Sequence, residues 1–544
     1  IDHGVADGDK PYIMKMCLVL VLLAVIGLTC SITAQYFAAK AAVGFSTGLR
    51  HALFEHIQKL SFSEMDTVGT STLITRMTSD INQTQNGVNL VLRLFLRSPF
   101  IVFGAMIMAF TIDVKAALVF VVTIPLLSVV VFGIMLVSIP LYKKVQSALD
   151  KVLGITRENL TGSRVIRAFN KEDDEIADFN NSNDALTKIQ LYVGKISALM
   201  NPLTYVIING AVVVLVWTGA IRVNSGYITQ GEVVALVNYM SQILVELIKL
   251  ANLIININKS IACGNRIQAI FELQPSITDH AVTPVAEEKT EHSGEVPEVV
   301  FSHVGLTYAG AGEESLTDID FTVKKGETIG IIGGTGSGKS SVVNLIPRFY
   351  DATKGSVQIE GKDVREYSLE ELRGKIGMVL QKAVLFKGTI RENMLWGNEN
   401  ATDEAIMQAL EVAQAKEFVD KKEGGLDFEI EQGGKNLSGG QRQRMTIARA
   451  VVKKPDILIL DDSASALDFA TDAKLRMAIR DMENKATVFI VSQRAASIMY
   501  ADKIIVLDDG QIVGMGTHEE LLKQCEVYQE IYYSQFKKTE DEKE

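Results

Sequence analysis

The sequence contains few of the residues that build disulfide frameworks or zinc sites. Its 544 residues include only four cysteines, and no two of them form a CxxC pair. They are Cys17, Cys30, Cys263 and Cys525. This spacing argues against both a disulfide scaffold and a structural zinc cluster.

An excess of positive charge is also missing. Asp and Glu total 65 residues against 54 Lys and Arg, which gives a formal net charge of −11, and no arginine-rich face stands out. Because nucleic-acid-binding proteins present a basic surface to phosphates, nucleic acid is not expected as a partner.

Apolar residues, by contrast, are abundant and unevenly distributed. Mean hydropathy is +0.18, which is high for a soluble protein of this length. The apolar residues concentrate before residue 260 and the charges after it. The asymmetry predicts a membrane half followed by a soluble half.

The membrane half contains apolar stretches that approach or exceed the length needed to cross about 30 Å of hydrocarbon. They are residues 13–39, 94–110, 116–141, 202–221 and 233–255. The long links 40–93 and 142–201 contain lysine and arginine, so the positive-inside rule places them in the cytoplasm. We therefore predict a transmembrane domain over residues 1–273, a linker over 274–296 and a soluble domain over 297–544.

The last apolar stretch carries a polar stripe. Tyr239, Gln242, Glu246 and Lys249 follow three- and four-residue steps, so they share one face of a helix. Glu246 would lie about 20 Å deep at 1.5 Å per residue, where a carboxylate is costly. Two interpretations stay open. Either Tyr239, Gln242 and Glu246 line a substrate pathway or cation site, or Glu246 pairs with Lys249 near the inner interface.

A phosphate-binding loop is the most specific motif of the soluble half. Residues 333–340 fit G-x-x-x-x-G-K-[ST], between a β-branched run at 328–332 and a stretch at 341–349 that can open a helix. In such a loop, backbone amides wrap the phosphates, Lys339 reaches the β- and γ-phosphates, and the Ser340 hydroxyl binds Mg²⁺. The predicted ATP-binding residues of the loop are Gly333, Gly334, Thr335, Gly336, Ser337, Gly338, Lys339, Ser340 and Ser341.

Further motifs surround this loop in a fixed order. Tyr308 precedes it, where an aromatic ring can stack on a base, and Gln381 follows a β-rich run. An apolar run at 457–460 ends at Asp461, as expected for a Mg²⁺ ligand at the end of a parallel strand. A glycine turn that opens a helix comprises Leu437, Ser438, Gly439, Gly440 and Gln441. The segment after Asp461 comprises Ser465, Ala466, Leu467 and Asp468.

Together these motifs resemble those of ABC transporter ATPases. The resemblance implies that Tyr308 stacks on adenine and that the glycine-rich loop is the Walker A motif. It also implies that ATP and Mg²⁺ are cofactors, with Ser340, Gln381 and Asp461 around the metal. Residues 437–441 resemble the signature that acts on the ATP of a partner subunit, and 465–468 resemble the D-loop.

The first half is similar to the six-helix half-transporter of ABC exporters. Residues 60–66 and 158–169 resemble the first and second intracellular loops, whose ends couple the ATPase to the helices. The implied fold is an α-helical transmembrane domain fused to an α/β P-loop ABC nucleotide-binding domain. The second half is expected in the cytoplasm, and five crossings precede it, so residue 1 would lie outside the cell. We therefore expect one further transmembrane helix before residue 1. The alternative is a five-span protein.

Two residues depart from the family pattern in the γ-phosphate site. Asp462 follows Asp461 where the family usually has a glutamate that polarises the attacking water. Its side chain is shorter by roughly 1.5 Å, one carbon–carbon bond, and a misplacement of about 1 Å can cost around 100-fold in rate. Gln493 follows the apolar run 487–491 where the family usually has a histidine. Glutamine donates a neutral hydrogen bond but carries no charge.

These departures at the two candidate catalytic positions predict a site that binds MgATP and hydrolyses it slowly. We expect a heterodimer, similar to bacterial multidrug ABC exporters, in which a second half-transporter has the glutamate and the histidine. Residues 437–441 would complete that partner's site. The chain is expected in the cell membrane of a bacterium, in contact with lipid, with its ATPase domain cytoplasmic and small amphipathic compounds as substrates.

Other functions stay open at this stage. A homodimeric exporter of lipids or peptides is one alternative, and an ATP-gated channel or regulatory subunit is another. A soluble ABC ATPase that acts on nucleic acid or ribosomes is opposed by the apolar stretches and by the acidic charge.

Overall fold

The computed structural model describes residues 8–279 and 296–536, together with Asp2 and Gly4. The chain divides into two compact units, of which the first comprises Ile1–Gln58 and Ser71–Leu273 and the second Lys59–Thr70 and Gln274–Glu544. The short segment Lys59–Thr70 thus packs with the second unit, whereas the sequence analysis placed it within the transmembrane domain. Most of the predicted linker lies outside the described residues.

The residues up to Phe271 form helices. In chain order they are α1 (Lys10–Lys59), α2 (Phe62–Val68), α3 (Thr70–Thr75), α4 (Ile81–Leu90), α5 (Arg97–Ile112), α6 (Val114–Thr161), α7 (Ser163–Ala168), α8 (Glu172–Ala198), α9 (Met200–Asn224) and α10 (Gln230–Phe271). Two π-helical turns, Arg76–Asp80 and Val91–Phe95, join α3, α4 and α5 into one rod. Of these helices, α2 belongs to the second unit.

By length and composition, five helical rods of the described residues are able to cross a membrane. They are Lys10–Lys59, Thr70–Ile112, Val114–Thr161, Glu172–Asn224 and Gln230–Phe271. Each rod contains one of the predicted apolar stretches. The shortest has 42 residues, which corresponds to about 63 Å at 1.5 Å per residue and exceeds the hydrocarbon thickness about twofold. The predicted long links are therefore largely continuations of the membrane helices.

Buried ion pairs and small side chains hold these helices together. Alanines of α5 and α6, among them Ala109 and Ala116, are fully buried where the helices approach each other. The carboxylate of Asp80 accepts hydrogen bonds from Arg76 at 2.8 Å and from Arg266 on α10. Because a buried charge is costly without a partner, this paired carboxylate fixes α10 against the π-helical turn.

The second unit has its strands in three sheets within the described residues. The strands are β1 (Val299–Leu306), β2 (Leu316–Val323), β3 (Thr328–Gly333), β4 (Lys354–Ile359), β5 (Lys362–Asp363), β6 (Ile376–Val379), β7 (Gly388–Thr389), β8 (Glu429–Ile430), β9 (Ile457–Asp461), β10 (Thr487–Val491), β11 (Lys503–Asp508) and β12 (Gln511–Gly516). The large sheet has the order β12-β11-β3-β10-β9-β6, a second sheet has the order β2-β1-β4-β5, and β7 pairs with β8.

The helices of the second unit that follow β3 pack on the large sheet or on one another. They are α11 (Lys339–Leu345), α12 (Leu369–Lys375), α13 (Ile390–Leu395), α14 (Asp403–Val412), α15 (Lys416–Asp420), α16 (Gly439–Val451), α17 (Phe469–Arg480), α18 (Ala495–Ile498), α19 (His518–Gln524) and α20 (Glu526–Gln535). Every residue of β9 and β10 is buried. Continuous apolar runs of this kind are typical of parallel strands covered on both faces, and β3, β6, β9, β10 and β11 are parallel.

Candidate nucleotide-binding site

A cavity of about 410 Å³ opens at the carboxyl ends of the parallel strands. Val491 at the end of β10 pairs with Asp461 at the end of β9 and with Ile331 of β3, so β9 and β10 end level and β3 extends two residues further, to Gly333. Predicted site residues that line it are Tyr308, Thr335, Gly336, Gly338, Lys339, Ser340, Ser341, Gln381, Asp461, Asp462 and Gln493. Lining residues that the sequence analysis missed are Glu314, Ser315, Val491, Ser492, Asp509 and Gly510.

The glycine-rich loop between β3 and α11 needs glycine at defined positions. Gly336 and Gly338 have φ angles of 85° and 90°, in the left-handed region that favours glycine. A Cβ atom on Gly333 would lie 2.1 Å from the carbonyl oxygen of Leu507. The loop therefore starts tight against β11 and turns through left-handed glycines, and successive amides of such a loop form an anion-binding concavity.

Lys339 is held above this loop by the loop's own carbonyl groups. Its ammonium donates to Gly333 O at 3.0 Å and to Ser337 Oγ at 3.3 Å, and it also contacts Gly334 O. Burial lowers the pKa of Lys339, while the nearby carboxylates of Asp461 and Asp462 oppose this shift. A desolvated cation next to backbone amides attracts phosphate oxygens more strongly than an exposed one.

Oxygen atoms able to bind a metal line the same cavity. Ser340 Oγ donates to Asp461 Oδ1 at 2.9 Å, and Gln381 lines the same cavity. Burial raises the pKa of Asp461, because its carboxylate has lost water, and the hydrogen bond from Ser340 opposes this shift. A hydroxyl, a carboxylate and an amide oxygen are hard ligands that fit Mg²⁺, which usually keeps phosphate and water in its remaining positions.

Asp462 and Gln493 both line the cavity. Gln381 Nε2 donates to Asp462 Oδ2 at 3.4 Å, a long hydrogen bond. The backbone of Asp462 has a φ of 43°, and its amide donates to Val491 O at 2.9 Å. Aspartate tolerates this left-handed conformation better than most residues. The short side chain thus starts from a fixed backbone, so its reach into the cavity is set by its length.

Tyr308 links the phosphate loop to the segment Lys59–Thr70, which comes from the first half of the chain but packs with the second unit. Its hydroxyl lies 2.8 Å from Ser341 Oγ, and its ring meets Tyr350 edge to face at 5.0 Å. Tyr350 in turn donates to Asp66 Oδ2 of α2 at 2.5 Å, and Phe62 of α2 packs on Phe349 at 4.5 Å. A continuous set of contacts therefore runs from the candidate base-stacking ring to α2.

The signature and D-loop residues do not line this cavity. Ser438 precedes α16, and Gln441 N donates to its hydroxyl at 3.3 Å in a capping box. Ser438 and Gly439 are exposed, so this helix start is accessible to another molecule. Among residues 465–468, Leu467 is buried, and Asp468 accepts from Thr471 N at 3.1 Å to cap α17.

The polar residues along one face of α10 differ in their exposure to solvent. Glu246 is 6% exposed and accepts from Ser98 Oγ at 2.9 Å and from Lys249 Nζ at 3.0 Å. Tyr239 packs against the apolar cluster between α5, α6, α9 and α10, whereas Gln242 is exposed. The predicted pair between Glu246 and Lys249 is present. Of the candidate pathway residues Tyr239, Gln242 and Glu246, only Gln242 is exposed.

Comparisons with known proteins agree with this architecture. A family model described as the ABC transporter transmembrane region matches residues 1–247, and one described as ABC transporter matches residues 316–465. An uncharacterized ABC transporter ATP-binding protein of Mycobacterium tuberculosis is 37% identical over 540 residues, which cover 98% of this chain and 91% of the relative. The chain belongs to the ABC transporter family.

Two further relatives have more specific names. A putative multidrug export ATP-binding/permease protein of Bacillus subtilis is 34% identical, over 92% of this chain and 85% of its own length. An ATP-dependent lipid A-core flippase of Desulfotalea psychrophila is 33% identical, over 89% of this chain and 84% of its own length.

The fold matches that of a solved exporter. The structure of a bacterial Atm1-family ABC exporter with ATP bound has a TM-score of 0.77 to this chain, covering 99% of this chain and 94% of that one, at 22% identity. The chain is thus a helical membrane-spanning exporter domain fused to a cytoplasmic ABC ATPase domain, as the sequence predicted. ATP, normally with Mg²⁺, is the nucleotide that such a domain binds.

Proposed function

We propose that this transporter ATPase is the degenerate-site half of a heterodimeric exporter for amphipathic, multidrug-like compounds. The observation that carries the proposal is that Asp462 and Gln493 line one cavity with an intact phosphate loop. Groups for binding ATP and Mg²⁺ are all present there. The two groups that normally act on the attacking water and the γ-phosphate are both replaced.

The chemistry of each replacement supports slow hydrolysis. The backbone of Asp462 is fixed by its hydrogen bond to Val491 O, so a carboxylate withdrawn by roughly one bond length is poorly placed to polarise a water on the γ-phosphate. Gln493 can donate a hydrogen bond to that phosphate but cannot carry positive charge. MgATP would then stay bound at this site through the cycle.

The exposed signature gives this chain a second role. Ser438 and Gly439 present a capped helix start of the 13-residue helix α16, and the amides and positive dipole of such a start favour an anion. In the proposed dimer they contact the γ-phosphate of ATP bound by the partner. Two copies of this chain would have two slow sites, whereas a partner with glutamate and histidine would supply one fast site completed here.

ATP binding at both sites would bring the two ATPase domains together, and the intracellular loops would transmit this closure to the membrane helices. The contacts of Tyr350 with Asp66, and of Phe62 with Phe349, are candidate transmission points. Two observations support amphipathic compounds as substrates. One relative is named a putative multidrug export protein, and the apolar membrane helices carry a few polar side chains, such as Gln242 and Tyr239.

The proposal is tested by changing the signature of each subunit in turn. The full-length chain is co-expressed with a candidate half-transporter that has the glutamate and the histidine, and phosphate release is measured for the purified complex. Ser438→Arg in this chain should abolish turnover, because it blocks the fast site. The same change in the partner's signature should leave most of the turnover, because it affects only the slow site. Equal loss from both changes would contradict the asymmetry.

A homodimeric lipid exporter is a second candidate, favoured by the flippase relative. It predicts that the chain alone hydrolyses MgATP at a rate that rises with added lipopolysaccharide or phospholipid. A channel or regulatory role predicts instead an ATP-dependent ionic current across a bilayer that contains the purified complex.

A further inference from the structure

The terminal helix α20 contacts the segment that carries Gln493. Gln535, the last residue of α20, donates from Nε2 to Gln493 O at 2.7 Å. The amide of Ala495 donates to Gln535 Oε1 at 2.9 Å. One side-chain amide thus binds both the acceptor and the donor that flank Arg494, a pattern that restrains the backbone of all three residues.

The helix that presents Gln535 is itself well anchored. Tyr528 of α20 is fully buried, and its hydroxyl lies 2.7 Å from His518 Nδ1. Tyr532 stacks on Phe536 with ring centroids 4.7 Å apart. Tyr528 also lies in one buried apolar cluster with Ile504 and Val506 of β11. Because this packing holds α20 against the large sheet, Gln535 is presented from an anchored helix although its own side chain is exposed.

The other side of the segment is held by Arg494. Its guanidinium donates to the carbonyl oxygens of Ser465 at 3.1 Å and Leu467 at 3.2 Å. Gln493 therefore has a backbone restrained from two directions, while its side chain lines the nucleotide cavity. Loss of either restraint would let the Gln493 side chain leave the γ-phosphate position at little cost.

We propose that Gln535 is a positioning residue for Gln493, holding the backbone so that the Gln493 amide faces the γ-phosphate of bound ATP. The inference rests on the role given to Gln493 under the proposed function. It adds that the terminal helix, which lies outside every motif of the site, determines how well this site distinguishes ATP from ADP.

The test compares two nucleotides on the purified full-length chain. Gln535→Ala should weaken MgATP binding about three- to tenfold, the effect of one or two net hydrogen bonds, and should leave MgADP binding unchanged, because ADP has no γ-phosphate. Gln535→Met, which keeps the length of the side chain but not its hydrogen bonds, should behave in the same way. Gln529→Ala is the matched control, since Gln529 lies on the same helix and bonds Leu522 O instead.

A double-mutant cycle separates positioning from general stability. In a Gln493→Ala background, Gln535→Ala should have no further effect on MgATP binding, because the residue it positions is gone. Equal weakening of MgATP and MgADP would overturn the inference in favour of a structural role. Unchanged MgATP binding in both Gln535 variants, with weaker binding in Gln493→Ala, would overturn the inference alone. If Gln493→Ala itself leaves MgATP binding unchanged, the γ-phosphate assignment and the inference fail together.

Discussion

If the site hydrolyses ATP slowly, as proposed, replacing Asp462 and Gln493 by the family's usual glutamate and histidine should raise its rate of hydrolysis. Asp462 lines the open cavity of about 410 Å³, so the Asp462→Glu change can extend the carboxylate into that cavity by about 1.5 Å, past the Gln381 amide that lies 3.4 Å from Asp462 Oδ2. Recovering about 1 Å of placement is worth around 100-fold in rate, or about 2.7 kcal/mol of barrier. Gln493→His adds a group that can carry charge near the γ-phosphate.

The double variant also has a predicted cost. With φ at 43°, position 462 favours aspartate over glutamate, and a left-handed conformation costs about 1–2 kcal/mol for most residues. We therefore expect lower thermal stability together with higher turnover. These two effects have opposite signs, so stabilisation of the fold cannot explain a gain in rate.

The assay is phosphate release by the purified full-length chain without any partner. Wild type, both single variants and the double variant are compared, and the double variant should exceed wild type about 100-fold. Lys339→Ala in the double background should abolish the gain, which shows that it arises at this loop. A double variant that binds MgATP normally but hydrolyses it at the wild-type rate would refute the reasoning.

Three further changes follow from the geometry. Gly333→Ala should lower the thermal stability, since the added Cβ would lie 2.1 Å from a backbone oxygen of β11. Gly334→Ala is the control and should unfold like wild type, because its added Cβ would have no neighbour within 4 Å. Thermal unfolding of the two variants checks this difference. Tyr350→Phe removes the hydrogen bond to Asp66 but keeps the ring, so MgATP affinity should hold while transport per ATP falls in proteoliposomes. Burial raises the pKa of Asp461, so MgATP affinity should fall as pH drops through that raised pKa. Without ligand, the same shift makes the fold more stable as pH falls, because the folded state binds the proton more tightly.

The features of the site that could be predicted from sequence are local ones. Residues 457–460 and 488–491 are apolar at every position, and the structure confirms both runs as parts of buried parallel strands. The phosphate loop is defined by glycine spacing within eight residues. Features of this kind can be predicted because the periodicity of neighbouring residues determines their local geometry.

The features that could not be predicted depend on contacts between distant parts of the chain. Asp509 and Gly510 have the composition of a turn, but only the order of strands in the large sheet brings that turn to the cavity. Glu314 comes from the segment before β2, and Gln535 from the terminal helix. No local pattern distinguishes Glu314 or Gln535 from ordinary surface polar groups.

The membrane half shows the same limit. The apolar stretches indicate where helices cross the membrane, but not that the helices continue far beyond it or that π-helical turns interrupt the rod Thr70–Ile112. The packing of Lys59–Thr70 with the second unit was indicated only by the resemblance of residues 60–66 to an intracellular loop, because the physical pattern of these residues does not specify their partners. It results from aromatic and hydrogen-bond contacts, such as that of Phe62 with Phe349, whose partners are almost 290 positions apart.

The central claim is that the site of this chain binds MgATP without hydrolysing it efficiently, and turnover by the chain alone tests it most directly. The purified full-length protein, without a second half-transporter, is given MgATP, and bound nucleotide and released phosphate are measured in one sample. We predict retained MgATP, and turnover about 100-fold below that of the complex with a partner that has the usual glutamate and histidine. Turnover by the chain alone that equals that of the complex would contradict the account.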